Sequence, residues 1–182
     1  MKSRMLVLLA AIAMVLGSAS DSEARNRPRR AKSDFKANKG FGLGIMFGAP
    51  FGLSGKYYLS ESTALDFGVG AYYRFRYDDA FQFHVDYLWH PVVLAKTDAF
   101  WLPLYVGVGG RVLDHGRDRD RDFDDDTHVG VRAPLGLSFD FENVPLDIFF
   151  EFALVVDFIQ DRDDNHDIVD LNSSVGIRYY FN

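Results

Sequence analysis

The chain has 182 residues, no cysteine, 15% aromatic residues and a formal net charge of −6. That length favours one domain, and the missing cysteines exclude thiolate metal sites, cysteine nucleophiles and disulfide staples. The net charge hides an asymmetry: residues 25–39 (RNRPRRAKSDFKANK) carry seven bases and one acid, whereas residues 40–182 carry 11 bases and 23 acids. An acidic body of this kind has no basic surface for nucleic acid.

The chain opens with a short basic start, Met1-Lys2-Ser3-Arg4, then an apolar run from Met5 to Leu16 and the small residues Gly17-Ser18-Ala19-Ser20. This is the pattern of a cleaved secretory signal peptide over 1–24, with cleavage after Ala19, Ser20 or Ala24; the run is too short to span a bilayer as a helix. The basic stretch 25–39 reads as a flexible leader, a solvated linker in preference to a contact with anionic headgroups or cell-wall polymer. The folded domain is expected over 40–182.

From Gly40 onward apolar and polar residues alternate with period two, the signature of strands. Two short candidates come first, at about 40–49 and 51–59. The third sets Leu65, Phe67, Val69, Ala71, Tyr73 and Phe75 against Asp66, Gly68, Gly70, Tyr72, Arg74 and Arg76. In the fourth, Phe81, Phe83, Val85, Tyr87 and Trp89 oppose Gln82, His84, Asp86, Leu88 and His90. A fifth candidate lies at about 102–113, and three more, around 129–140, 146–158 and 169–181, alternate in the same way. The fold class expected is all-β: an eight-stranded antiparallel, up-and-down transmembrane barrel with a filled polar interior.

The polar face supplies the direction. It is built from Gly, Arg, Asp, His and Tyr, with one Lys (Lys56) and one Glu (Glu151), where a water-facing sheet leans on Lys and Glu. Small residues beside paired charges suit a crowded interior. The apolar face, with aromatic residues at its ends, suits lipid. The interior then holds Lys56, Arg74, Arg76, Arg111, Arg132 and Arg178 with Asp66, Asp86, Asp140, Asp147, Glu151, Asp157 and Asp170, and His84 among them; near balance is what a low-dielectric interior demands. Hairpin register places Lys56 opposite Asp66, and a turn centred on Asp78 places Tyr72 opposite His84. With the N-terminus inside, the long charged loops, 114–128 and 160–167, fall outside. Against this scheme, Val92 to Trp101 makes a long apolar inner connection, and Pro134 predicts a bulge in mid-strand.

Several groups could carry chemistry. His84 and Asp86 share a strand face with Tyr72 nearby, which would suit a lipid-modifying hydrolase or acyltransferase if a serine came within reach; a core hydrogen-bond network is preferred. His90, before Pro91 at the inner rim, has no ligand-spaced partner. The loop acids Asp122, Asp124, Asp125 and Asp126 could contact a divalent cation, although their spacing is not that of an EF-hand. No cofactor and no metal site is expected.

At Gly42-Leu43-Gly44, Phe51 to Leu59, His84 to His90, Leu102 to Arg111, Val129 to Leu137 and the closing Gly176 to Phe181, the chain resembles a family of uncharacterised small bacterial outer-membrane barrels, similar in size and architecture to OmpX and the OmpA transmembrane domain. The resemblance covers nearly all of 40–182 and implies an outer-membrane location but no reaction. Barrels of this type end on an aromatic residue read by the insertion machinery, whereas here Asn182 follows Phe181. The function expected is that of a non-enzymatic outer-membrane protein, structural, binding or adhesive through its loops. Its partners would be outer-membrane lipid, lipopolysaccharide and, through the last strand, the insertion machinery, with the protein a monomer. The alternatives are the lipid-modifying enzyme and a narrow ion channel.

Overall fold

The chain divides into two units, Met1–Ala31 and Lys32–Asn182. The structure, a computed structural model, describes residues 33–37, 39–73, 79–115, 127–159 and 169–181, all in the second unit; the side chains of 73, 79, 115 and 159 also lie outside the description. The signal segment, the loops and the residues Arg74, Arg76, Asp122, Asp124, Asp125 and Asp126 therefore lie outside the described residues.

The alternating segments form eight strands: β1 (Phe41–Gly48), β2 (Phe51–Tyr58), β3 (Thr63–Tyr73), β4 (Asp79–Lys96), β5 (Phe100–His115), β6 (Thr127–Phe141), β7 (Leu146–Ile159) and β8 (Val169–Phe181). Each pairs antiparallel with its neighbour in sequence, and β1 pairs with β8 from Phe41↔Phe181 to Gly48↔Ser174, so the sheet is a closed barrel. Closure matters physically because it leaves no edge strand with unpaired backbone groups.

The alternation decides which side chains face in. Along β6 burial changes at every residue from Thr127 to Phe141, with His128, Gly130, Arg132, Pro134, Gly136, Ser138 and Asp140 buried. The opposite face is apolar and open: Leu53 and Leu171 are each 62% exposed, Phe152 58% and Phe158 67%. Aromatic residues crowd this exterior toward one end, where Tyr57, Tyr87, Tyr179 and Phe181 are all exposed.

That end carries the tight turns, 59–62, 97–99 and 142–145. The apolar stretch read as a long connection from Val92 to Trp101 is instead mostly strand: β4 runs on to Lys96 and β5 starts at Phe100. Register shifts between Trp89 and Val92 and between Val93 and Ala95 break the period there. The remaining turn is closed by Thr97, whose hydroxyl donates to the Phe100 carbonyl at 3.0 Å and accepts the Phe100 N–H at 3.1 Å, the usual work of a threonine in a turn.

Two more expectations are corrected. Pro134 pairs with Ala153 without a bulge; the irregularity in that ladder lies between Val129 and Gly130. On its other side the β5–β6 register is the same before and after Pro134, with Val106↔Leu135 and Gly109↔Arg132 flanking it, so the strand tolerates the missing N–H as a local gap. His84 lies opposite Gly68, while Tyr72 pairs with Ala80. The register follows from the β3–β4 connection, which is centred closer to β3 than Asp78. Gly68 suits the position because an added Cβ would sit 2.4 Å from His84 Cε1. Lys56 and Asp66 are register partners, as the turn at 60–62 implies.

The register makes a direct prediction. In this cysteine-free chain, the pair Ala64→Cys/Leu88→Cys should oxidise readily to a disulfide, because the two positions are direct partners on the inner face and lie within disulfide reach. Tyr72→Cys/His84→Cys should not. Cross-linking of the second pair, read by mass spectrometry of the folded protein, would contradict the register.

Candidate functional site

The interior is where the polar face converges, and its organisation is three arginines that each hold two carboxylates. Arg111, from β5, binds Asp157 of β7 in a forked pair, Nε to Oδ1 at 3.2 Å and Nη2 to Oδ2 at 2.6 Å, and reaches Asp170 of β8 at 2.8 Å. Arg132, from β6, binds Asp86 of β4 at 2.7 Å and Glu151 of β7. Arg178, from β8, lies 2.6 Å from Asp66 of β3 and 3.6 Å from Asp147 of β7, and its Nε donates to Ser54 at 2.8 Å. A guanidinium is planar and forked, so it can meet two carboxylates from different strands at once.

The three clamps are joined. Asn172 Oδ1 accepts from Arg111 at 3.4 Å and from Arg132 at 3.1 Å. Asp66 and Asp86, which belong to the Arg178 and Arg132 clamps, are direct partners across β3 and β4. Tyrosines donate to the same acids: Tyr72 to Asp170 Oδ2 and Tyr180 to Asp147 Oδ2, each at 2.7 Å and each on the oxygen that faces the arginine, and Tyr105 to the second oxygen of Glu151 at 3.1 Å. Glycine makes the room. A Cβ at Gly109 would lie 2.0 Å from Asp86 Oδ1, and one at Gly130 would lie 2.2 Å from Asp157 Oδ1.

Lys56 behaves differently. Its amine is buried and turns away from Asp66 to His90 Nε2, 3.0 Å away, with the rings of Tyr58 and Tyr105 at 5.0 and 4.9 Å. His90 Nδ1 stands 3.2 Å from the Ser62 carbonyl, so a proton on Nδ1 leaves Nε2 as the acceptor for the amine. Asp140 is bound by Lys39, a residue of the leader, which also donates to the carbonyls of Phe141 at 2.8 Å and Leu146 at 3.0 Å. The expected leader thus ends inside the folded unit, with residues 33–37 and 39 placed against the barrel.

Among the described residues, His84 does not gather a catalytic set. Gln82 is its hydrogen-bond neighbour, at 3.4 Å; Tyr72 is directed to Asp170 and Asp86 to Arg132. One ligand atom each from His84, Asp86 and Glu151 lie within 4.8 Å of one another, a spacing that would suit a cation. Arg132 already bonds both carboxylates, and its guanidinium stands in the role that a metal would take.

Sequence reasoning missed Phe35, Lys39 and Tyr105 as members of this interior. Phe35 is the one aromatic residue in a basic stretch, which was the available signal. Asn172 lay on the inward parity of its strand, but nothing marked it as a bridge.

Among solved structures, the fold is similar to the N-terminal β-barrel domain of Pseudomonas aeruginosa OprF, with a TM-score of 0.54 and 14% identity over 78% of this chain and 95% of that one. This likeness is one of fold: both chains form a closed β-barrel. No family model matches the chain, and no curated protein matches it in sequence.

The clamps predict an ordering of stabilities. Replacing Arg132 by Met strands two buried carboxylates and should cost about 3–5 kcal/mol, whereas removing all the charge together can be close to neutral. The variant Asp86→Asn/Arg132→Met/Glu151→Gln should therefore unfold at higher urea than Arg132→Met alone, measured in detergent. A triple variant weaker than the single would contradict the clamp.

Proposed function

We propose that the protein is an outer-membrane barrel without enzymatic activity. Its strands cross the bilayer, and it serves as a structural element or as a binding and adhesive one through its charged loops. The observation that carries this reading is the inverted distribution of polarity: apolar side chains stand exposed around the whole exterior while paired charges fill the inside. In water such an exterior is a severe liability, since soluble monomers rarely expose apolar patches beyond a few hundred Å². In lipid it is the required surface, and a closed ladder is the only sheet that satisfies its own backbone there. Strands β3 to β8 have 11 to 18 residues, enough to cross a hydrocarbon core at a tilt.

The exposed tyrosines near the tight turns fit an interfacial girdle. Tight turns on the inner side and long loops on the outer side is the asymmetry of outer-membrane barrels, and the OprF domain is a barrel of the same strand number. The partners proposed are outer-membrane lipid and lipopolysaccharide around the exterior and the insertion machinery at β8, with the protein a monomer. The use of the polar groups in the interior speaks for a non-enzymatic role: His84 neighbours Gln82 and Asp86 is committed to Arg132. The filled interior also favours a packed support over a channel, since eight strands leave space that their own side chains occupy.

The mature chain should fold only with detergent or lipid present and should migrate faster unheated than boiled on a denaturing gel; folding in plain buffer would overturn the membrane reading. Deleting residues 116–126 should leave that mobility shift intact, and the purified protein should show no stepwise conductance in planar bilayers. Discrete steps would favour the channel.

A further inference from the structure

Residues 33–37 and 39 turn back into the tight-turn end of the barrel. Phe35 is 1% exposed. Its ring stacks on His90 at 4.9 Å, meets Trp101 edge-on at 6.2 Å and tilts against Tyr58 at 5.9 Å. Phe35 and Tyr58 form, with Ala64, Leu88, Tyr105 and Tyr180, the larger of the two apolar clusters among the described residues, and Trp101 packs against it. Polar contacts fix the segment on both sides of the ring. Ser33 donates to the His90 carbonyl, the Ala37 N–H donates to the Glu61 carbonyl at 2.8 Å, and Lys39 ties to Asp140 and the turn between β6 and β7.

The segment is not a strand of the barrel. Its anchors lie on the β2–β3 turn, on β4 and β5, and at the β6–β7 turn, so it bridges the mouth from one side to the other. What it adjoins is the one cation of the described interior that is held by no carboxylate: the Lys56 amine, bonded to His90 Nε2 directly beside the Phe35 ring. The arginines are each fixed by two acids and need no cover. Lys56 depends on His90 and on two tyrosine rings, all of which Phe35 helps to close off from the mouth.

We infer that this segment is a removable lid on the inner mouth of the barrel, with Phe35 as its apolar anchor and Lys39 as its ionic one, and that the site it covers is the Lys56–His90 pair. The structure holds the segment in its closed position. Displacing the lid leaves all eight strands paired and opens an aromatic-lined entrance with a lysine amine at its floor.

The test is amine accessibility in the full mature chain, folded in detergent micelles and treated with a water-soluble amine-acetylating reagent. Rates at individual lysines are read by peptide mass mapping, with exposed Lys96 as the internal reference. In the unmodified protein Lys56 should react at least about tenfold more slowly than Lys96, as a group reached only through local opening does. Phe35→Ala should raise the Lys56 rate by about tenfold or more, leave Lys96 unchanged and keep the mobility of the folded barrel. Ala37→Pro removes the N–H given to Glu61 and keeps the Phe35 ring; it should raise the rate as well, and it decides the matter if Phe35→Ala does not fold. Lys56 as slow in the folded variants as in the parent protein, or as fast as Lys96 in the parent, would overturn the lid.

Discussion

A guanidinium shared between two carboxylates is the unit from which this interior is made. Turning the apolar residues of a barrel outward forces the polar ones inward, where each unpaired charge would cost several kcal/mol. Arg111, Arg132 and Arg178 meet that constraint from three different strands, and their acids come from β3, β4, β7 and β8. Arg132–Glu151 and Arg178–Asp147 join neighbouring strands, but each clamp also ties strands that are not neighbours in the ladder: β5 to β7 and β8, β6 to β4, and β8 to β3. Cross-barrel pairing of this kind fixes the shape of the sheet as an apolar core does in a soluble protein.

The rest of the inner surface is arranged around those groups. Gly109 and Gly130 face the carboxylates of Asp86 and Asp157, where any side chain would collide. Asn172 takes two arginines on one carbonyl oxygen. At the end with the loops, Tyr72, Ala80 and Leu113 form a small apolar cluster. At the other end the charges give way to Tyr58, Tyr105, Tyr180 and the Phe35 ring. The described interior is thus charged through its middle and apolar toward both ends, and the Lys56 amine sits at the boundary near the tight turns.

Much of this was legible in the sequence, for a definite reason. A strand has a side-chain period of two, so one buried face marks every second residue, and the inward positions from Asp66 to Arg178 follow from parity alone. Parity carries no information about which charge meets which. Lys56 stands opposite Asp66 and still turns to His90, because partners across a barrel depend on tilt and on residues far apart in sequence. Register failed where the turn was misjudged: Tyr72 and His84 do not pair, since the β3–β4 connection is not centred on Asp78. The stretch from Val92 to Trp101 was unreadable because the register shifts after Trp89 interrupt the period. Phe35 was hidden by its neighbours, since a run of bases reads as solvated chain whatever single aromatic it contains.

The central claim is that the apolar face of the barrel lies in lipid and the charged face does not. Spin labels placed one at a time along β7 in lipid vesicles address it directly. At Phe150, Phe152 and Leu154, which point outward, collision with dissolved oxygen should be high and collision with a water-soluble nickel complex low. At the inward Ala153 both should be low, and the oxygen signal should alternate residue by residue. Outward labels that meet the nickel complex as freely as a loop would contradict the account.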